Sequence, residues 1–333
     1  MQPQLQMANT AGNSTYQKNL FIRRTRILVG GTVLGNIEFF LDTDYPNLFL
    51  PANSGTAAAP AFVKNTPGMN IQDAFVTWKA LGDMLKVDMG YMLPPMAHNA
   101  LQGAGTLYGL DYYSFSFQHS NSFGSSANPI GRDVGLQLRS LLVDGHIDIR
   151  AGIFQGLRDN ETTTEPPARN MFRLTGRVQI NLLDAEPGFF YAGTYLGAKK
   201  IASIGFSGDL QDKYKYFAVD GIVDMPLGPG VVTAQVNLAH YDGGTFIPTL
   251  IKQTDLMGEA GYNFAAVHVS PIFRFEKRMG SGTLVDETRV GGGLAFWPYG
   301  HNTNLKAFFV NVKDSGAAKS FNQFNLQWQV FAY

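Results

Sequence analysis

Residues 172–182 read FRLTGRVQINL, and the order of side chains in this stretch decides the fold. Phe172, Leu174, Gly176, Val178, Ile180 and Leu182 fall on one side of an extended chain, with Arg173, Thr175, Arg177, Gln179 and Asn181 on the other. Successive side chains of a strand point to opposite faces, so the stretch is a strand with one apolar and one polar face. The pattern recurs upstream in HIDIRAGIF (146–154), where Ile147, Ile149, Ala151 and Ile153 oppose Asp148, Arg150 and Gly152. It recurs in 85–91, with Leu85, Val87, Met89 and Tyr91 against Lys86, Asp88 and Gly90, and again in 232–238 and 256–264.

A soluble sandwich alternates in the same way, and strand length separates the two cases. These segments run mostly to about 9–13 residues, whereas globular strands favour about 5–6 and a tilted bilayer crossing needs about 9–11. Sixteen such segments can be drawn: 2–10, 18–30, 33–43, 72–81, 84–92, 131–141, 145–155, 170–182, 198–208, 214–225, 230–241, 254–264, 266–277, 286–298, 302–313 and 319–333. Connection lengths support the division. Short turns at 31–32, 82–83, 142–144, 226–229, 265 and 299–301 alternate with longer connections at 44–71, 93–130, 156–169, 209–213, 242–253, 278–285 and 314–318. The exception is 183–197, which either extends a strand or folds under the barrel. The expected fold is an all-β, transmembrane antiparallel barrel of about sixteen strands, residues 1–333 forming one domain.

Composition agrees. Of 333 residues only 16% are charged, 13% are aromatic and 37 are glycine, a low-charge, turn-rich chain. No cysteine is present, which excludes disulfides, thiolate metal sites and a cysteine nucleophile. The formal net charge is zero, so no global basic field exists to draw nucleic acid. No apolar run is long enough for a helical membrane span. The opening residues MQPQLQMANTAGNS lack the basic start and apolar stretch of a signal peptide, as expected of a mature exported chain. The closing FNQFNLQWQVFAY alternates and ends on an aromatic, the kind of tail that barrel-assembly machinery reads.

IRRTR (22–26), KVDMGYMLPP (86–95), GRDVGLQL (131–138), IRAGIFQG (149–156) and VDMPLGPG (223–230) resemble, in this order, motifs of the phosphate-selective porin O and P family. The resemblance implies a sixteen-stranded outer-membrane porin, often a homotrimer, with its third loop folded into the lumen. Here 93–130, the segment in that place, holds no lysine and one acid, Asp111. A general path for small polar solutes or ions is therefore expected rather than phosphate selectivity. The partners are outer-membrane lipid outside and those solutes inside, with no cofactor and no metal.

Alternation places a set of charges in the lumen: Arg24, Arg26, Lys86, Arg139, Arg150, Arg173 and Arg177, with Glu38, Asp42, Asp88, Asp148, Asp220 and Glu259 facing them. An arginine turned to lipid at mid-membrane would cost about 2–4 kcal/mol. These charges either set up a transverse field, cations and anions following opposite walls, or neutralise one another as a lattice that stiffens the wall. The constriction loop offers His98, Asp111, Tyr112, Tyr113, Phe115 and His119, and the alternation of Tyr112 to Phe117 reads as a short strand. Trp78, Tyr91, Tyr262, Phe296, Trp297 and Trp328 suit the interfacial girdles, although adjacent Phe296 and Trp297 cannot both face outward. Two other functions stay open: a scaffold with a plugged lumen bound to outer-membrane or periplasmic proteins, and a barrel enzyme using His268 and Ser270 on one strand face.

Overall fold

The alternating segments join into a circuit of antiparallel strands in the computed structural model, which describes residues 1–9, 15–53, 61–116, 130–157, 171–316 and 320–332. In chain order they are β1 (Pro3–Asn9), β2 (Tyr16–Ile22), β3 (Arg26–Val33), β4 (Ile37–Asp44), β5 (Pro51–Asn53), β6 (Phe62–Lys64), β7 (Asn70–Lys79), β8 (Lys86–Met92), β9 (Asp133–Leu142) and β10 (Ile147–Phe154). There follow β11 (Arg173–Asn181), β12 (Ile201–Gln211), β13 (Tyr214–Leu227), β14 (Gly230–Asp242), β15 (Gln253–Phe264), β16 (Val269–Gly280), β17 (Glu287–Phe296), β18 (Thr303–Asp314) and β19 (Phe321–Val330). Strands β5 and β6 form a separate hairpin within the β4–β7 connection. The rest pair neighbour to neighbour in one sheet. Strand β1 pairs with β19, Leu5 opposite Leu326, and also with β2, Leu5 opposite Leu20. That double pairing joins the last strand to the first and, through the continuous segment β2–β3, completes the circuit; among the described residues β3 pairs with β4 alone.

Strands β2 and β3 are halves of one crossing, so sixteen crossings make the wall among the described residues. Arg23 N–H donates to Gln2 O (2.8 Å), while Gln2 N–H donates to Arg24 O (2.9 Å). Two residues thus oppose one, the definition of a β-bulge. The bulge resets the alternation: Arg23 and Arg24, adjacent in sequence, both turn into the lumen.

The connections sort by side. On one side lie 34–36, 80–85, 143–146, 182–200, 228–229, 265–268 and 297–302, and on the other the longer loops together with one tight turn, 212–213, where a longer connection at 209–213 was expected. The first turn falls at 34–36, not at 31–32 between the segments 18–30 and 33–43. Leu34 and Gly35 take positive φ of 55° and 77° there, a conformation glycine supplies without strain. Gly30 and Gly31 stay in β3 beneath the rings of Phe40 and Phe39.

Burial is inverted relative to a soluble protein. In β11, Val178 is 42% exposed while Arg177 is 2% exposed, so apolar residues face outward and charges inward. Trp78 and Trp328 are exposed, and of the adjacent pair Phe296 faces out while Trp297 is buried, its Nε1–H donating to Ser270 Oγ (3.0 Å). Replacing outward Val178 with arginine is expected to destabilise the barrel by about 2–4 kcal/mol, read from denaturant unfolding in lipid vesicles. Threonine there should cost far less.

Candidate functional site

Most inward charges are paired along the wall, whereas Lys306, Asp224 and Asp255 are held by carbonyl, hydroxyl and amide groups. Arg139 Nε donates to Asp88 Oδ2 (2.6 Å), Arg173 Nη2 to Asp209 Oδ2 (2.6 Å), and Arg177 Nη1 to Asp220 Oδ2 (2.6 Å). Arg150 bonds Asp148 on its own strand (3.1 Å), Arg274 Nε bonds Glu259 (2.7 Å), and Arg132 makes a two-pronged pair with Asp73 (3.0 Å each). Arg26 reaches Asp42 (3.0 Å) and Asp44 (3.2 Å); Lys86 pairs with Asp83, and Lys79 with Glu38. Every acid expected to face the arginines from across the lumen is instead a near neighbour of a cation. The arrangement is the self-neutralising lattice, not a transverse field. Breaking one such buried pair costs several kcal/mol, because the remaining charge stays buried alone. Asp209, Asp73 and Arg132 belong to this lattice although sequence reasoning did not single them out; alternation within β11–β12 carried the signal for Asp209.

Two segments enter the lumen from opposite ends. From the long-loop side comes 93–116, which begins after Met92 and contains a short 3-10 helix, His98–Leu101. From the short-turn side comes 182–200. It folds up inside the barrel rather than extending a strand or lying beneath it. They meet backbone to backbone: Gly103 N–H donates to Tyr191 O (2.9 Å), Tyr191 N–H to Leu101 O (3.0 Å), and Gly193 N–H to Thr106 O (3.0 Å). Gly193 has no alternative there, since a Cβ would sit 2.6 Å from Tyr108 N. The walls hold both segments by their carbonyls. Arg150 donates to Gly188 O and Phe189 O, Arg177 to Met96 O, and Lys306 Nζ to Leu107 O (2.6 Å) and Gly109 O (2.8 Å). Spare donors on paired arginines explain how a neutral lattice still fastens two irregular chains.

His98 and Glu186 tie the segments together. Their side chains are 2.9 Å apart and buried, His98 stacks on Tyr191 at 4.6 Å, and Tyr195 OH donates to Glu186 Oε1 (2.8 Å). Burial works to raise the Glu186 carboxyl, but His98, the Tyr195 hydroxyl and the Ala192 N–H outweigh it and hold it below its ordinary 4.5. A carboxyl depressed by folding adds stability above its unfolded value and loses it as pH falls through the folded one. Glu186→Gln is therefore expected to lower barrel stability by about 1–3 kcal/mol at neutral pH. The deficit should shrink on acidification below about 4.3, as followed by the temperature at which gel mobility shifts.

Residues 110–116 form no strand; they run as bends and a turn, because their polar and aromatic groups bond to the wall rather than to a partner strand. Tyr113 OH lies 3.1 Å from Tyr241 OH, Ser114 N–H points at Glu276, and Phe115 lies beneath Arg278 (5.1 Å) and Arg289 (5.4 Å). Asp111 is gripped by the bulge: Arg23 Nε donates to its Oδ2 (2.9 Å) and Arg24 Nη2 to its Oδ1 (2.5 Å). Tyr112 lies beside this clamp, its ring 5.5 Å from the Arg24 guanidinium and its OH donating to Gln102 O (2.8 Å). His119 and Phe117 lie outside the described residues. His268 sits in the turn before β16 with a φ of 54°, exposed, whereas Ser270 is buried against Trp297. They do not share a strand face.

Two sizeable cavities lie beside the inserted segments among the described residues. One of about 800 Å³ opens on the long-loop side between Asn47, Asp111, Arg274 and Arg289. The other, about 750 Å³, lies on the short-turn side between Phe40, Lys86, Arg139 and Phe190. Tyr112 lines both. Arg26, Glu38, Asp42, Lys86 and Arg139 line the second cavity, while Arg24, Asp88, Asp148, Arg150, Arg173, Arg177, Asp220 and Glu259 are buried in the wall.

The fold is that of an outer-membrane porin. The channel DcaP of Acinetobacter baumannii superposes with a TM-score of 0.57 at 10% identity, covering 98% of this chain and 94% of that one. The anion-selective porin of Comamonas acidovorans gives 0.55 at 11%, covering 98% and 97%. The trimer form of OmpT from Vibrio cholerae gives 0.51 at 12%, covering 98% and 96%. No family model matches the chain, and no curated protein matches it in sequence.

Proposed function

We propose that this chain is an outer-membrane porin through which small polar solutes and ions diffuse, with a narrow, weakly selective passage. One observation carries the reading: the two cavities reach toward opposite ends of the barrel and share a single lining residue, Tyr112. Short turns mark the periplasmic side and long loops the exterior. The segment 93–116 acts as the constriction. Charges at the passage are balanced, Arg23 and Arg24 by Asp111 and Arg26 by Asp42 and Asp44. The resemblance to phosphate-selective porins therefore extends to the barrel and not to phosphate, because among the described residues the cations lining the passage are paired with carboxylates. Likeness to channels such as DcaP supports the reading at the level of fold. OmpT of Vibrio cholerae has a trimer form, and we extend a homotrimer to this chain, to be checked by cross-linking in detergent.

A second reading has its own observation. The two inserted segments are stitched to each other and to the wall, as a plug would be. Planar-bilayer recording separates the two. Small, stable steps with a reversal potential near zero in a salt gradient are expected of the pore. A folded barrel that passes no current would be an occluded scaffold.

A further inference from the structure

We propose that the cavity on the short-turn side is a binding site for a neutral, hydroxylated solute with one apolar face, a mono- or disaccharide. The proposal names a substrate class for the pore and rests on that reading only for how the solute arrives.

One wall of the cavity is aromatic. Phe75 packs on Phe189 (4.4 Å between centroids), Phe189 on Phe190 (4.8 Å), and Phe40 on both Phe75 (5.6 Å) and Phe190 (5.8 Å). These rings come from β4, β7 and the inserted segment 182–200, so the tile exists only once that segment enters the lumen. Phe40, Phe189 and Phe190 remain half-buried, presenting ring surface to the cavity. Apolar surface facing a polar lumen is unfavourable unless something covers it.

Beside the rings the lining is polar without net charge, Arg139 lying 5.2 Å from the Phe189 ring. Lys79, Lys86, Arg26 and Arg139 form this polar part, each held by a carboxylate of Glu38, Asp83, Asp42 or Asp88. A charged solute would have to compete with those partners and give up its own hydration. A hydroxyl faces no such contest, because it both donates and accepts. Two buried atoms of this polar part have no hydrogen-bond partner among the described residues: Arg132 Nη1, a donor, and Asp42 Oδ1, an acceptor. A hydroxyl both donates and accepts, the two functions these atoms leave unmet. A sugar ring matches both kinds of surface, with a face of C–H groups for the phenyl tile and a rim of hydroxyls for the ion pairs beside it. The volume of about 750 Å³ falls in the range that encloses small molecules.

The experiment titrates the purified full-length barrel in detergent with maltose, and separately with benzoate, by isothermal calorimetry, alongside planar-bilayer recording. Saturable maltose binding is expected, weakened about tenfold or more in Phe190→Ala and retained in Phe190→Trp, with benzoate bound more weakly. Unchanged gel heat-modifiability shows that Phe190→Ala still folds; if it does not, Phe40→Ala is read instead. Benzoate binding with no maltose binding, binding of neither, or maltose binding indifferent to both phenylalanine variants overturns the proposal. A conducting pore that binds no sugar overturns it alone, and sugar binding by a barrel that passes no current overturns the porin reading alone.

Discussion

Replacing Tyr112 with alanine is expected to raise single-channel conductance by about threefold or more, because current is set by the narrowest section. The Tyr112 ring lines both cavities and so forms the partition between them. Its OH is latched to Gln102 O, and Arg24 lies over its face. Removing the ring joins cavities of about 800 and 750 Å³ and takes from Arg24 the ring it lies over, while the ion pairs of Arg23 and Arg24 with Asp111 that anchor the segment stay in place. Tyr112→Phe separates ring from latch: it keeps the obstruction, and its mean current should stay near that of the native chain, with more frequent flickering. Equal currents in the alanine variant and the native chain would show that ions cross elsewhere.

Asp111→Asn is expected to turn a nearly unselective passage into an anion-selective one. The substitution leaves Arg23 and Arg24 side by side without their shared counter-charge, while keeping the size of the side chain. A unit charge seen by an ion about 4 Å away is worth between about 1 and 4 kcal/mol, depending on how water-like the surroundings are. The permeability ratio should therefore move toward anions by about tenfold or more, read as a shifted reversal potential in a salt gradient. The pH dependence has a definite sign. Burial tends to raise the Asp111 carboxyl, but Arg23, Arg24 and the Tyr112 N–H overcome it and hold it well below its ordinary 3.8. The carboxylate and its clamp therefore persist at pH 4, and Asp111 itself is expected to contribute no change in selectivity between pH 7 and pH 4. Stability owed to Asp111 is present above its unfolded value and is lost only as pH falls through the lower folded one. A shift toward anions near pH 4 that is present in the native pore and absent from Asp111→Asn would contradict this account of the clamp.

How much of this was legible in the sequence depends on the range of the forces involved. The face assignment of Arg173 and Arg177 could be read directly, because the period of a strand is two and lipid rejects a charge on the outer face. Arg23 and Arg24 could not be phased in the same way. Their shared inward direction comes from a bulge opposite Gln2, and a bulge leaves no trace in alternation. Partner choice was equally hidden. Asp88 and Arg139 are 51 positions apart in sequence, and only the β8–β9 register brings Asp88 opposite Gln137, beside Arg139. The turn at 182–200 carried a hint in its length and its Phe189–Phe190–Tyr191 run, unusual for a short connection, but not its direction.

By itself, then, the sequence determined the barrel, its strand number, which side chains face lipid and which end carries the long loops. Each follows from a local rule, the two-residue period acting against a solvent that tolerates neither charge nor unpaired backbone. Only the tertiary structure decided that the charges pair along the wall, that a loop and a turn enter from opposite ends, and that Tyr112 lies where the two cavities meet. Those outcomes depend on hydrogen bonds between residues far apart in the chain, such as Lys306 to Leu107 and Gln329 to Gly105. Their partners are chosen by register and by the geometry of closure, which no stretch of sequence contains alone.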